Sequence, residues 1–162
     1  MIEKPIVYNS LTMNDGTKAN LMVSPNYWIP VLSVDGLFGD EIRTETHPNP
    51  CADGEEHGEV LRSGKQIVLA GRVYGLNLGA MREGQLVLMQ AFYDLQEHQL
   101  QFYFSPRYSQ TYITAYVNQP LVITDEWSDN NGVWVQAWTI GMRADDPTIY
   151  YVSGGAKFQS WM

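Results

Sequence analysis

"KQIVLAGRVYG", residues 65–75, alternates along its whole length. Ile67, Leu69, Gly71 and Val73 fall on one side, and Gln66, Val68, Ala70, Arg72 and Tyr74 on the other. A period of two sends successive side chains to opposite faces, which is the pattern of a strand with one face on a core. Gly71 inside that pattern marks a bend or a close approach by another part of the backbone.

The same rhythm extends in both directions. Upstream, "WIPVLSVDG" (28–36) sets Trp28, Pro30, Leu32 and Val34 against Ile29, Val31 and Ser33, with Pro30 pointing to an edge or a bulge. Downstream, "HQLQFYFSPRYSQTYITAYVN" (98–118) reads as a hairpin turning at "SPR". Leu100, Phe102 and Phe104 share one face, then Ile113, Ala115 and Val117 oppose Tyr112, Thr114 and Tyr116. A further pair of strands, "PLVITDEW" and "GVWVQAWTIGM", flanks "SDNNG", where Asn131-Gly132 is a strong turn signal.

One segment breaks the period. Leu88, Ala91, Phe92 and Leu95 recur at helical spacing, which predicts one helix near residues 80–95 with its apolar stripe on a sheet. Gly84 weakens its first turn by about 1 kcal/mol relative to alanine. The expectation is a mainly β domain of about eight strands, a β-sandwich with a single packed helix, spanning 1–162 as one unit. The N-terminal stretch, residues 44–58 and a flexible tail over 152–162 are expected to be irregular, Gly154-Gly155 acting as a hinge.

Composition sets the class. At 162 residues and 44% hydrophobic content the chain supports a self-sufficient core, burying roughly 70% of the unfolded surface. A lone cysteine allows no internal disulfide, and no signal peptide or membrane-length apolar run is visible, so folding in a cytoplasm is expected. Net charge is −8 with scattered basic residues, which argues against gripping nucleic-acid phosphates.

The stretch "THPNPCADGEEHGEV" (46–60) gathers His47, Cys51 and His57, with Asp53, Glu55 and Glu56 as further oxygen donors. These are zinc-ligand types, yet the spacing matches no CxxC, HxxxH or HExxH pattern. Pro48, Pro50, Gly54 and Gly58 punctuate it, so it reads as a polar loop that meets a partner rather than a metal centre. No cofactor is implied. No GxSxG, GxGxxG or phosphate loop is present, Asp145-Asp146 reads as the start of a turn at "DDP", and nothing points to an enzyme. Five Trp and ten Tyr remain as the chemical resource. Tyr112, Thr114 and Tyr116 form a half-exposed face suited to a neighbouring subunit, with a sugar-stacking platform as the alternative.

Taken in order, these segments resemble the distal tail protein (Dit-like) family of long non-contractile phage tails, which includes many minor tail proteins. "WIPVLSVDGL" precedes "EIR", "EHGE" ends a variable loop, and "SGKQIVLAGRVYG" is similar to the family's glycine-ended strand. The helix, the aromatic hairpins and "MRADDPTIYY" follow in the family's order, over about residues 28–151. The resemblance implies a tail-tube-like β-sandwich that forms a ring, commonly of six, at the tail tip of the virion. Such a ring joins the tail tube to the baseplate hub or tail-associated protein and lets DNA pass through its lumen. A second, C-terminal domain carried by many members is not expected here, since the chain stops about ten residues after "DPTIYY". The alternatives are a major tail tube subunit of the same fold and a monomeric carbohydrate-binding β-sandwich.

Overall fold

The computed structural model describes residues 4–37, 42–48, 55–103, 110–129 and 131–151. Its organising strand is β7 (Lys65–Gly75), whose odd-numbered residues are buried and whose even-numbered residues are half-buried. β10 (Trp134–Ala144) runs antiparallel along the full length of β7, from Trp134 opposite Gly75 to Ala144 opposite Lys65. The other edge of β7 carries β3 (Tyr27–Trp28) and β4 (Val31–Asp35). Between them Pro30 interrupts the strand, and its carbonyl accepts the Arg72 N–H at 3.1 Å. Pro30 therefore marks a break, as a residue without an N–H should. The predicted close approach falls at Gly71, where a Cβ would collide with the Pro30 carbonyl and lie 2.8 Å from the Trp138 ring.

The second half of the sheet is built on β8 (His98–Tyr103), extended at its outer edge by the hairpin β1 (Ile6–Tyr8) and β2 (Leu11–Met13). Joining the halves is β9 (Gln110–Ser128). Its first residues pair with β8, from Gln110 opposite Tyr103 to Ala115 opposite His98. Its remainder pairs with β10, from Tyr116 opposite Arg143 to Ser128 opposite Trp134. A short β11 (Tyr150–Tyr151) lies beside Thr111 and Tyr112. The strand order is thus β2-β1-β8-β9-β10-β7-β3, a continuous sheet folded over one core as a sandwich-like, nearly closed layer pair.

Helix α1 (Leu78–Tyr93) is capped by Asn77, whose side-chain oxygen accepts the Ala80 N–H at 2.8 Å. It buries Ala80, Met81, Gly84, Leu88, Ala91 and Phe92. Gly84, the weak point of the helix by propensity, is where the sheet comes closest. A Cβ there would lie 2.8 Å from Val73 and 3.0 Å from Tyr27. Farther along, Phe92 stacks on Tyr8 at 5.3 Å and tilts against Trp138 at 6.1 Å, so helix, first hairpin and β10 meet in one aromatic cluster. Among the described residues no helix is long and apolar enough to cross a membrane.

Four expectations are corrected. The N-terminal stretch is not irregular: Asn9 and Ser10, with φ of 45° and 67°, close a tight turn that lets two three-residue strands pair. Residues 44–58 are not simply a loop either. β5 (Ile42–Pro48) and β6 (Glu55–Arg62) pair antiparallel as a separate two-stranded ribbon. The strands expected on either side of Asn118–Pro120 are the single strand β9, which passes Pro120 through irregularities in its pairing with Thr139–Met142. Leu95 lies beyond the helix and is 71% exposed, so it is not part of the buried stripe. The described residues accordingly form eleven strands rather than about eight. Phe104, the "SPR" turn and the tail 152–162 lie outside the described residues.

Two measurements test this packing. Gly71→Ala should lower stability by about 1–3 kcal/mol in denaturant melts, because both the Pro30 carbonyl and Trp138 must shift. Tyr8 is fully buried and donates its hydroxyl to the Ala115 carbonyl at 3.3 Å. Burial first, and the nearby Asp94 charge second, push its pKa up to about 12. The stability held by the neutral phenol is therefore complete below its ordinary value near 10 and is lost as pH rises toward 12. Tyr8→Phe should flatten this alkaline loss while costing about 1 kcal/mol at neutral pH, the net worth of one hydrogen bond.

Candidate functional site

The aromatic face predicted from alternation is assembled as one surface. Tyr112, Thr114 and Tyr116 are half-buried on the face of β9 opposite the buried Ile113, Ala115 and Val117. Register extends this face across the sheet: Thr12 pairs with Val7, Val7 with Gln101, Gln101 with Tyr112, and Tyr112 with Tyr150. Tyr112 and Tyr150 stack at 5.5 Å. Beside them Gln110 donates to Gln101 at 3.1 Å and Gln101 to Gln99 at 3.2 Å, a ladder of amides over the sheet. The face is thus flat, amphipathic and internally ordered, the type of surface that packs against protein with little loss of side-chain entropy.

The acidic pair Asp145-Asp146 borders this face and is divided between two structural tasks. Asp145 accepts from Arg143 Nε at 3.0 Å and from the Tyr116 hydroxyl at 3.5 Å. Asp146 accepts the Thr148 N–H at 3.0 Å and the Tyr150 hydroxyl at 2.8 Å, which pushes the Tyr150 pKa up. The expected turn at "DDP" is therefore present, and it anchors β11.

Of the residues that raised the metal question, the structure describes the backbone pairing of four. His47 sits opposite Glu56, Pro48 opposite Glu55, and His57 opposite Thr46, so the two histidines occupy successive rungs of the β5–β6 ribbon. Cys51 and Asp53 lie outside the described residues. Among the described residues no three His, Cys, Asp or Glu gather where they could hold one ion.

Two features escaped the sequence reading. The first is a cleft of about 340 Å³ between the β1–β2 turn and α1, lined by polar Asn9, Ser10, Asp15 and Gln90 and by Trp28. Hydrogen bonding by the Thr17 hydroxyl lowers the Asp15 pKa there. The second is apolar, a groove of about 550 Å³ between the end of α1 and the middle of β9. Met89, Tyr93 and Leu95 form one wall, and Pro120, Leu121 and Ile123 the other. Its signal was legible: Leu86, Met89 and Tyr93 recur at i, i+3 and i+7, a second apolar stripe on the solvent side of α1. Large exposed side chains at three such positions mark an interaction surface rather than scatter.

Asp94 closes the helix at the rim of this groove. Its carboxylate accepts the Gln96 N–H at 2.9 Å and contacts His98 Nε2 at 2.9 Å. The Gln96 bond first, and then the His98 bond, hold its pKa below the ordinary carboxylate range. The stability it lends is present above the unfolded carboxylate pKa and is lost as pH falls through the depressed value. Asp94→Asn should make the acid limb of the stability profile, followed by denaturant melts from neutral to about pH 3, less steep than in the wild type.

No family model matches the chain, and no curated protein matches its sequence. Its fold, in contrast, has a counterpart among solved structures. The crystal structure of the SPP1 Dit protein, described as a paradigm of the hub adsorption apparatus of phages infecting Gram-positive bacteria, superposes with a TM-score of 0.58 at 14% identity. The match covers 91% of this chain and 51% of that one, so the chain spans about half the length of the protein whose fold it shares.

Proposed function

We propose that this chain is a structural protein of a long-tailed phage virion, a ring-forming subunit at the distal end of the tail tube. The observation that carries this reading is the fold shared with SPP1 Dit over nine-tenths of the chain, at an identity too low to come from local sequence likeness. In this reading copies close into a ring, of six as the family resemblance suggests. The ring meets the tail tube on one side and the baseplate hub on the other, and leaves a lumen for DNA. The net charge of −8 supports the last point, because a wall of like charge does not retain a passing polyanion.

Within that ring the ordered face of Tyr112, Thr114 and Tyr116 is assigned to a neighbouring subunit. The β5–β6 ribbon, with His47, Glu55, Glu56 and His57, is assigned to the adjoining ring, and the stretch between its strands carries Cys51 and Asp53 with it. The ribbon is a two-stranded sheet of its own, so its backbone is already paired before any such contact forms. No catalytic step is assigned to the protein.

Light scattering and negative-stain microscopy of the purified chain test the reading. Closed rings of uniform diameter are expected. Long stacked tubes would instead identify a tail tube subunit, and monomers at high concentration would reject both. Tyr112→Lys and Tyr116→Glu should each weaken ring formation at least tenfold in concentration; unchanged assembly would remove that face from the subunit contact.

A further inference from the structure

Every described asparagine but one has its side chain engaged. Asn9 donates to the Ala91 carbonyl at 3.0 Å, and Asn14, only 5% exposed, to the Lys4 carbonyl at 3.1 Å. Asn20 accepts the Met22 N–H at 3.1 Å, and Asn26 donates to the Leu21 carbonyl at 2.9 Å. Asn77 accepts the Ala80 N–H, and Asn118 exchanges two bonds with Gln66. The exception is Asn131, in the turn between β9 and β10. It is exposed, and among the described residues nothing holds its carboxamide.

The turn fixes the backbone around that side chain instead. Asp129 accepts the Asn131 and Val133 N–H groups on one carboxylate oxygen, each at 2.8 Å. Its own N–H donates to the Val133 carbonyl at 2.8 Å. Gly132 follows Asn131, is exposed as well, and has a φ of 81°. A Cβ on Gly132 would meet nothing within 4 Å, so no neighbour shields the peptide bond between the two residues. The Gly132 N–H donates to the Asp129 carbonyl at 3.2 Å, the long end of the hydrogen-bond range. A free carboxamide thus stands next to a weakly held backbone nitrogen with no side chain beside it.

We infer that Asn131 is a site of spontaneous backbone modification, converting through a cyclic imide to aspartate and isoaspartate. The Gly132 nitrogen attacks Asn131 Cγ. A bond forms between that nitrogen and Cγ, and the Cγ–Nδ2 bond breaks. Nδ2 leaves as ammonia, taking the proton that the Gly132 nitrogen gives up. Water then opens the five-membered ring. Addition at Cγ gives aspartate; addition at the backbone carbonyl carbon gives isoaspartate, whose main chain runs through Cγ and is one methylene longer. Either product places a second carboxylate beside Asp129, in a chain that already carries −8. The longer one also shifts the Gly132 and Val133 N–H groups away from Asp129, so the modification acts on the turn that joins β9 to β10.

The full chain is held at physiological temperature in neutral and in mildly alkaline buffer, beside a synthetic peptide of residues 127–134 that gives the rate of an unstructured chain. Peptide mapping reads a mass gain of about 1 Da at each asparagine, and isoaspartyl methylation reads the longer product. Conversion at Asn131 is expected within about tenfold of the peptide's rate, faster in the alkaline buffer, with Asn9, Asn20 and Asn118 intact. Asn131→Gln should abolish it with circular dichroism unchanged, because the longer side chain must close a six-membered ring. Asn131 that persists after the peptide has converted would overturn the inference. So would equal conversion at Asn9, whose successor Ser10 is also small but whose side chain is held.

Discussion

The structure depends on β9 belonging to two pairings at once. Its first residues are bonded to β8 and β11 and its last to β10, so the two halves of the sheet are turned toward each other around it. A strand of 19 residues is long for a globular domain, where five or six is usual. It survives because its pairing with β10 is interrupted. Between Val117 and Val122 the register slips against Thr139, Gly141 and Met142, and each slip adds local twist and bend. Gly141 makes the tightest of these places possible, since a Cβ there would collide with the Gln119 side chain.

The double duty of β9 also determines where the molecule is left open. Ala115 is the last residue of β9 paired with β8, opposite His98, and from that point the edge of β9 away from β10 has no strand beside it among the described residues. Pro120 sits on this stretch, where a residue lacking an N–H costs little and discourages random strand addition. The apolar groove is the result, with Leu121 and Ile123 turned toward the end of α1. The geometry that makes the core thus leaves an apolar surface beside it among the described residues.

Much of this was legible where a segment was long enough to show its period. β7 buries every odd residue as its alternation required, and Leu88, Ala91 and Phe92 are the buried stripe of α1. Legibility failed where elements are short or where tertiary pairing overrides a local breaker. Ile6–Tyr8 and Leu11–Met13 are too brief for a period, and they exist because β8 offers an edge to pair with. Pro120 looked like an end of strand, but the slips in pairing with β10 absorb it. In 46–60, the prolines and glycines hid two paired strands. As for the sites, the face of Tyr112, Thr114 and Tyr116 followed from alternation alone. The groove did not, because half of it comes from a strand thirty residues removed from the helix end.

Electrostatics makes the apolar surfaces necessary to the assembly reading. Copies that each carry −8 repel when brought together, and at physiological salt that repulsion is screened only beyond about 8 Å. Contacts between ring neighbours fall inside that distance. A ring of this chain is therefore stable only where short-range burial outweighs repulsion. Covering one large aliphatic side chain completely contributes about 1.5–3 kcal/mol. Exposed Leu86, Met89, Tyr93 and Leu95 offer a partner several such increments, more than exposed ion pairs worth about 0–1 kcal/mol each would give.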